Sequence, residues 1–98
     1  MAINFRIIRQ KEKDKLHLRL QGDFDGSSAL ELVNALKDAP DSADAIYIHT
    51  QDIASMLPFG REVFINTYPD YKRVCGKMVF TGDWGSHIAP KNKKKALH

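Results

Sequence analysis

Leu16, Leu18 and Leu20 alternate with His17, Arg19 and Gln21, and this period of two predicts a strand with one buried and one wet face. Ile3, Phe5 and Ile7 alternate in the same way, so the polar stretch at residues 10–15 between the two runs predicts a hairpin. After residues 22–26, Gly-Asp-Phe-Asp-Gly, the period changes. Ala29, Leu32, Val33 and Leu36 recur at helical spacing, and Ser28 with Glu31 makes the S-x-x-E pattern that satisfies N–H groups at a helix start. A first helix is therefore expected over residues 28–38. Pro40, Asp41 and Ser42 break the chain before residues 45–49, AIYIH, a short β-prone run that suits a central strand covered on both faces. Residues 51–59 read as a loop. Val63, Phe64, Thr67, Tyr68 and Tyr71 form a second helical stripe starting near Gly60, and Pro69 is expected to kink or end that helix near Tyr68. Residues 77–81, KMVFT, are the fourth strand, residues 82–85 turn the chain, and residues 86–90 have no clear period.

The predicted order is β-β-α-β-α-β. Two strand-helix-strand crossovers imply parallel strands within a small mixed sheet of four to five strands, with the helices packed on it, an α/β architecture.

At 98 residues there is room for one domain with a modest core, expected at residues 1–90, which excludes separate cofactor and substrate domains. No apolar run approaches the roughly 20 residues that span a bilayer. The start, MAINFRIIRQ, lacks the apolar core of a secretory signal, and the single Cys75 excludes an internal disulfide. A soluble cytoplasmic protein is the expectation. The formal charge of +3 is uneven: residues 91–98 carry four lysines and no acid, leaving eleven basic and twelve acidic side chains in residues 1–90, net −1. Four lysines at a chain end usually form a solvated, disordered tail, so nucleic acid is not expected as the partner. Within the domain the first two strands are basic, whereas residues 23–70 hold nine acids against Lys37 and Arg61.

Residues 16–36, LHLRLQGDFDGSSALELVNAL, resemble the opening of a STAS (SpoIIAA-like) domain, the anti-sigma-factor-antagonist module. Gly22, Asp23, Phe24 and Asp25 stand where that family ends a strand, and Ser28 and Ala29 stand where it enters its first helix. The resemblance continues through the strand at 45–49, the loop, a helix near Gly60, and Gly76 sixteen residues later, covering about residues 3–81. It implies a non-enzymatic interaction module in bacterial regulation that binds an anti-sigma factor or another switch kinase. The surface implied is the loop and the exposed side of the second helix, with Asp23, Asp25, Ser55, Met56, Leu57, Pro58, Phe59 and Gly60 as candidate partner-binding residues. The family's phosphoacceptor serine lies at the start of the second helix. Alignment on Gly60 and Gly76 puts Leu57, Pro58 and Phe59 there, so the usual switch is absent and Ser55 and Thr50 are the nearest hydroxyls.

Two readings of residues 55–59 stand side by side. Their apolar side chains form a docking patch, or Met56 and Phe59 turn inward and seal the core. Asp23 and Asp25 fit turn-fixing and helix-capping better than acid–base or magnesium chemistry. His17, His49, His87 and His98 lack metal-ligand spacing, Cys75 lacks signs of a stabilised thiolate, and no cofactor motif is present. Trp84 fits a cover for the sheet edge. A small-ligand domain holding a nucleotide or lipid is the first alternative, and a small enzyme of unknown reaction the second.

Overall fold

The computed structural model describes residues 4–88. Ile3, residues 89–90 and the lysine-rich residues 91–98 lie outside them. Four strands, β1 (Arg6–Glu12), β2 (Lys15–Phe24), β3 (Ala45–Met56) and β4 (Met78–Thr81), form one sheet in the order β1-β2-β3-β4. β1 and β2 are an antiparallel hairpin, and β3 runs parallel to both β2 and β4, as the crossover argument requires. The helices are α1 (Gly26–Lys37), α2 (Pro58–Asn66), α3 (Tyr68–Cys75) and the single turn α4 (Gly85–Ile88).

Register explains the core. Leu16, Ile46 and Met78 lie side by side across three strands, and Leu18, Ile48 and Phe80 form the next row. These six side chains are buried beneath Leu32, Val33 and Leu36 of α1, Phe64 of α2, and Tyr71 and Val74 of α3. The opposite face carries His17 beside Tyr47 and Arg19 beside His49, all half-buried or exposed. Among the described residues β3 is thus covered on one face only, contrary to the expectation of a strand buried on both. Its outward residues are aromatic and amphipathic, so they look apolar in sequence while tolerating water.

Several boundaries differ from those expected. The hairpin strands run through the polar stretch, leaving only Lys13 and Asp14 as the turn, because an exposed edge strand tolerates polar side chains on both faces. β2 continues through Gly22 and Asp23 to Phe24, and α1 starts at Gly26. Its N-cap is Asp25, whose Oδ1 accepts from the Ser28 amide at 2.9 Å, so Ser28 and Glu31 are not the capping pair. β3 extends to Met56 where a loop was expected. Between Arg19 and Gln21, and again between Gly22 and Asp23, β3 advances one residue more than β2, and these bulges break the alternation that would mark a strand. The second helix does end before Tyr68: α2 stops at Asn66, and Pro69 sits in the first turn of α3, where its missing N–H costs no helical bond. Residues 86–88 are part of α4, with Ile88 fully buried. Trp84 is half-buried and donates from Nε1 to the Ile53 carbonyl at 3.3 Å.

Candidate functional site

β2 and β3 end side by side at Phe24 and Met56, the carboxyl ends of parallel strands, where α/β sheets commonly place their binding surfaces. Asp23 and Ser55 are register partners, and Ser55 Oγ donates to Asp23 Oδ1 at 2.7 Å. Five residues beyond Asp23, Ser28 is fully buried. Its hydroxyl lies 2.7 Å from the Asp23 carbonyl, its acceptor, and 3.0 Å from Asp25 Oδ1. The Ser28 amide holds the Asp25 carboxyl below its usual range, outweighing the opposing effect of desolvation. Both carboxylates thus bind groups at the strand-to-helix junction, an arrangement that fixes geometry.

The start of α2 rests on this junction. The Leu57 amide donates to the Phe24 carbonyl at 3.0 Å, extending the ladder by one bond, and Leu57 then caps α2 without any side-chain hydrogen bond. Pro58 fills the first helical turn. Gly60 is buried so tightly that a Cβ there would lie 2.5 Å from the Phe24 oxygen. Its neighbour points outward: Phe59 is 67% exposed, Leu57 41%. The Phe59 ring lies over Gly26, where a Cβ would come within 2.9 Å of it. Leu30, 51% exposed, is four residues beyond Gly26 and so on the same face of α1, and Val63 is one turn beyond Phe59 on α2. Phe59 and Val63 thus lie against Gly26 across the α1–α2 seam, with exposed Leu30 one turn along α1 and exposed Leu57 two residues before Phe59. Of the residues expected to turn inward, Met56 packs on the core and Phe59 does not. Leu30 was not legible as a site residue, since one exposed leucine on a helix is unremarkable until Phe59 is brought onto the same face of α1 at Gly26.

No hydroxyl belongs to residues 57–59. Ser55 is bonded to Asp23, and Thr50 is fully buried with its hydroxyl donating to the Thr81 carbonyl at 2.5 Å. Cys75 is buried and free. Among the described residues no three His, Cys, Asp or Glu side chains gather as a metal site, and no helix is long and apolar enough to cross a membrane.

A second polar cluster lies on the open sheet face, assembled by the parallel pairing of β2 with β3. His17 Nδ1 and His49 Nε2 are 2.9 Å apart, and His49 Nδ1 is 2.8 Å from Thr81 Oγ1. His17 Nε2 lies 3.2 Å from Glu12 Oε1, at ion-pair distance but without hydrogen-bond alignment. Tyr47 stacks on His17 with centroids 4.9 Å apart. One proton serves the two facing nitrogens, so one ring donates and the other accepts. Burial first, then the neighbouring His17 and Arg19, push the His49 imidazole below its ordinary value of 6.5. A lowered pKa in the folded state means this contribution is full above pH 6.5 and is lost as pH falls from there toward the folded value. Urea stability should decline below pH 6.5, and less steeply in His49→Gln; parallel pH profiles for the two proteins contradict the assignment.

No family model matches the chain, and no curated protein matches it. Solved structures do. A STAS domain from Rhodobacter sphaeroides, described as an antisigma-factor antagonist, superposes with a TM-score of 0.61 at 12% identity, covering 94% of this chain and 98% of that one. The unphosphorylated anti-sigma factor antagonist SpoIIAA superposes with a TM-score of 0.53 at 14% identity, over 78% of this chain and 70% of that one. The chain has the STAS, or SpoIIAA-like, fold. The same fold occurs inside a larger protein, Mglu, with a TM-score of 0.64 at 15% identity; 89% of this chain is covered, and it spans 20% of Mglu. Identities this low establish the STAS fold and leave function to the site.

Proposed function

We propose that this STAS-fold chain is a non-enzymatic protein-interaction module of the anti-sigma factor antagonist kind, without a phosphorylation switch at the start of α2. Residues 1–90 are the interacting domain in this reading, and residues 91–98 a basic tail of minor weight. The observation that carries it is the outward pair Leu57 and Phe59 at the first turn of α2, continued by Leu30 on α1. A 98-residue chain gains from burying every large apolar side chain, so an exposed Phe beside two exposed leucines favours a protein partner that covers them. The partner class in this reading is taken from similar folds that are described as anti-sigma factor antagonists. Asp23, Asp25 and Ser55 act in this reading as positioning residues, holding the β2–α1 junction on which Phe59 and Gly60 rest.

Phe59→Asp is the decisive variant. Its ring is mostly in water, so the domain should stay folded, while affinity for a purified anti-sigma factor from the same cell falls by roughly a hundredfold, the size of an aromatic hot spot. Leu57→Asp should act in the same direction. Unchanged affinity in both variants, with binding abolished by deletion of residues 91–98 and steeply weakened by salt, replaces this reading with an electrostatic one.

A further inference from the structure

The opposite end of the sheet, where β2 and β3 begin, carries a basic cavity. Arg9 and Lys11 of β1 are register partners of Leu18 and Leu16, so they project from the same face of the sheet as those leucines, beside the helices. With Lys13 of the hairpin turn and Lys15 at the start of β2 they line a cavity of about 310 Å³. Leu16, Pro40 and Ala43 supply its apolar lining, and Ser42 adds a hydroxyl. Asp14 is the one acid in the lining, and among the described residues none of the four cations makes an ion pair.

The wall is held from behind. Arg73 bonds to the Asp41 carboxylate and to the Lys37 and Ala39 carbonyls, the latter two at 3.1 Å, and Lys77 Nζ donates to the Asp41 carbonyl at 2.9 Å. Asp41 is thereby paired with Arg73, while Asp44, next to Ala43, borders Lys13 and Lys15 together with Glu12 and Asp14. The Asp44 amide bonds to the Asp14 carbonyl at 2.6 Å and ties the connection to the hairpin turn. Four cations share the cavity lining with one carboxylate, so they repel one another, and a bound anion relieves that repulsion.

We propose that this cavity binds a small phosphorylated organic anion, independently of the apolar surface at the other end of the strands. Arg9 offers a fork that matches two phosphate oxygens, the lysines act as point charges, and the apolar lining takes a compact organic group. The volume is at the lower end of small-ligand pockets, roughly 300 to 1,000 Å³. A concave site of this size suits a monoester better than an extended phosphodiester strand or a membrane plane.

The test is a titration of the whole chain at fixed ionic strength, followed by amide NMR shifts, with inorganic phosphate and phenyl phosphate as probes. Saturable shifts at Lys11, Leu16, Ser42 and Ala43 are expected, with phenyl phosphate the tighter probe and Lys11→Glu weakening it about tenfold. Lys13 supplies a control against a merely structural effect. It has φ +55°, a conformation that favours glycine, so Lys13→Gly should keep or raise Tm while lowering phosphate affinity. Shifts that do not saturate, or that spread equally to Arg61 and Lys72, overturn the proposal. So does tighter competition at the same amides by a single-stranded oligonucleotide or by anionic vesicles, and so does undiminished binding in Lys11→Glu and Lys13→Gly.

Discussion

Phe64→Ala should cost about 3 to 5 kcal/mol, a large share of the roughly 5 to 15 kcal/mol that holds a domain of this size folded. Phe64 is fully buried and stacks on Tyr71 with centroids 4.5 Å apart and planes within 10°. Phe24 of β2 and Phe80 of β4 meet the same ring edge-on, each at 6.4 Å. One side chain therefore joins α2 and α3 to two strands, and its removal leaves a cavity that four different elements would have to close. Tyr71 cannot relax far, because its hydroxyl donates to the Phe64 carbonyl at 2.8 Å. Phe64→Leu keeps most of the volume and should cost less than half as much. Urea midpoints measure both, and equal midpoints for Phe64→Ala and the parent chain would remove Phe64 from its place as the joint of the core.

Gly60→Ala is expected to destabilise the domain by about 3 kcal/mol and to weaken partner binding as well. The added Cβ would stand 2.5 Å from the Phe24 oxygen and 2.7 Å from the Asp25 carbonyl carbon and oxygen. These are backbone atoms at the strand-to-helix junction and cannot rotate aside, so α2 has to move away from α1, taking Phe59 off Gly26. Gly76→Ala is the matched control: nothing lies within 4 Å of its Cβ position, and its φ of −65° is one alanine adopts freely. That change should be neutral or slightly stabilising, through the reduced freedom of the unfolded chain. Thermal unfolding of the two variants separates the predictions, and similar Tm values would mean that the α1–α2 seam is softer than its contacts imply.

The sequence by itself determined whatever is local along the chain. Alternation at Leu16, Leu18 and Leu20 marked a strand with one buried face, the change of period after Gly26 marked α1, and Pro69 marked the break between α2 and α3. Each follows from backbone periodicity or from proline's missing donor, properties that need no distant partner. The absence of a hydroxyl at residues 57–59 was equally legible, being a matter of residue chemistry. Tertiary structure decided the rest. β3 reaches Met56 because β2 pairs with it through two bulges, and a bulge destroys the alternation by which a strand is read. Asp25 rather than Ser28 caps α1, since β2 runs on to Phe24 and moves the helix start two residues upstream. His17 meets His49, and Lys11 and Pro40 come to line one cavity, only through strand register and the fold of a connection, and Phe59 stays outside because Gly60 lets α2 sit directly on the Phe24 carbonyl. These bring together residues about thirty positions apart, and their geometry is fixed by packing, which no local period encodes.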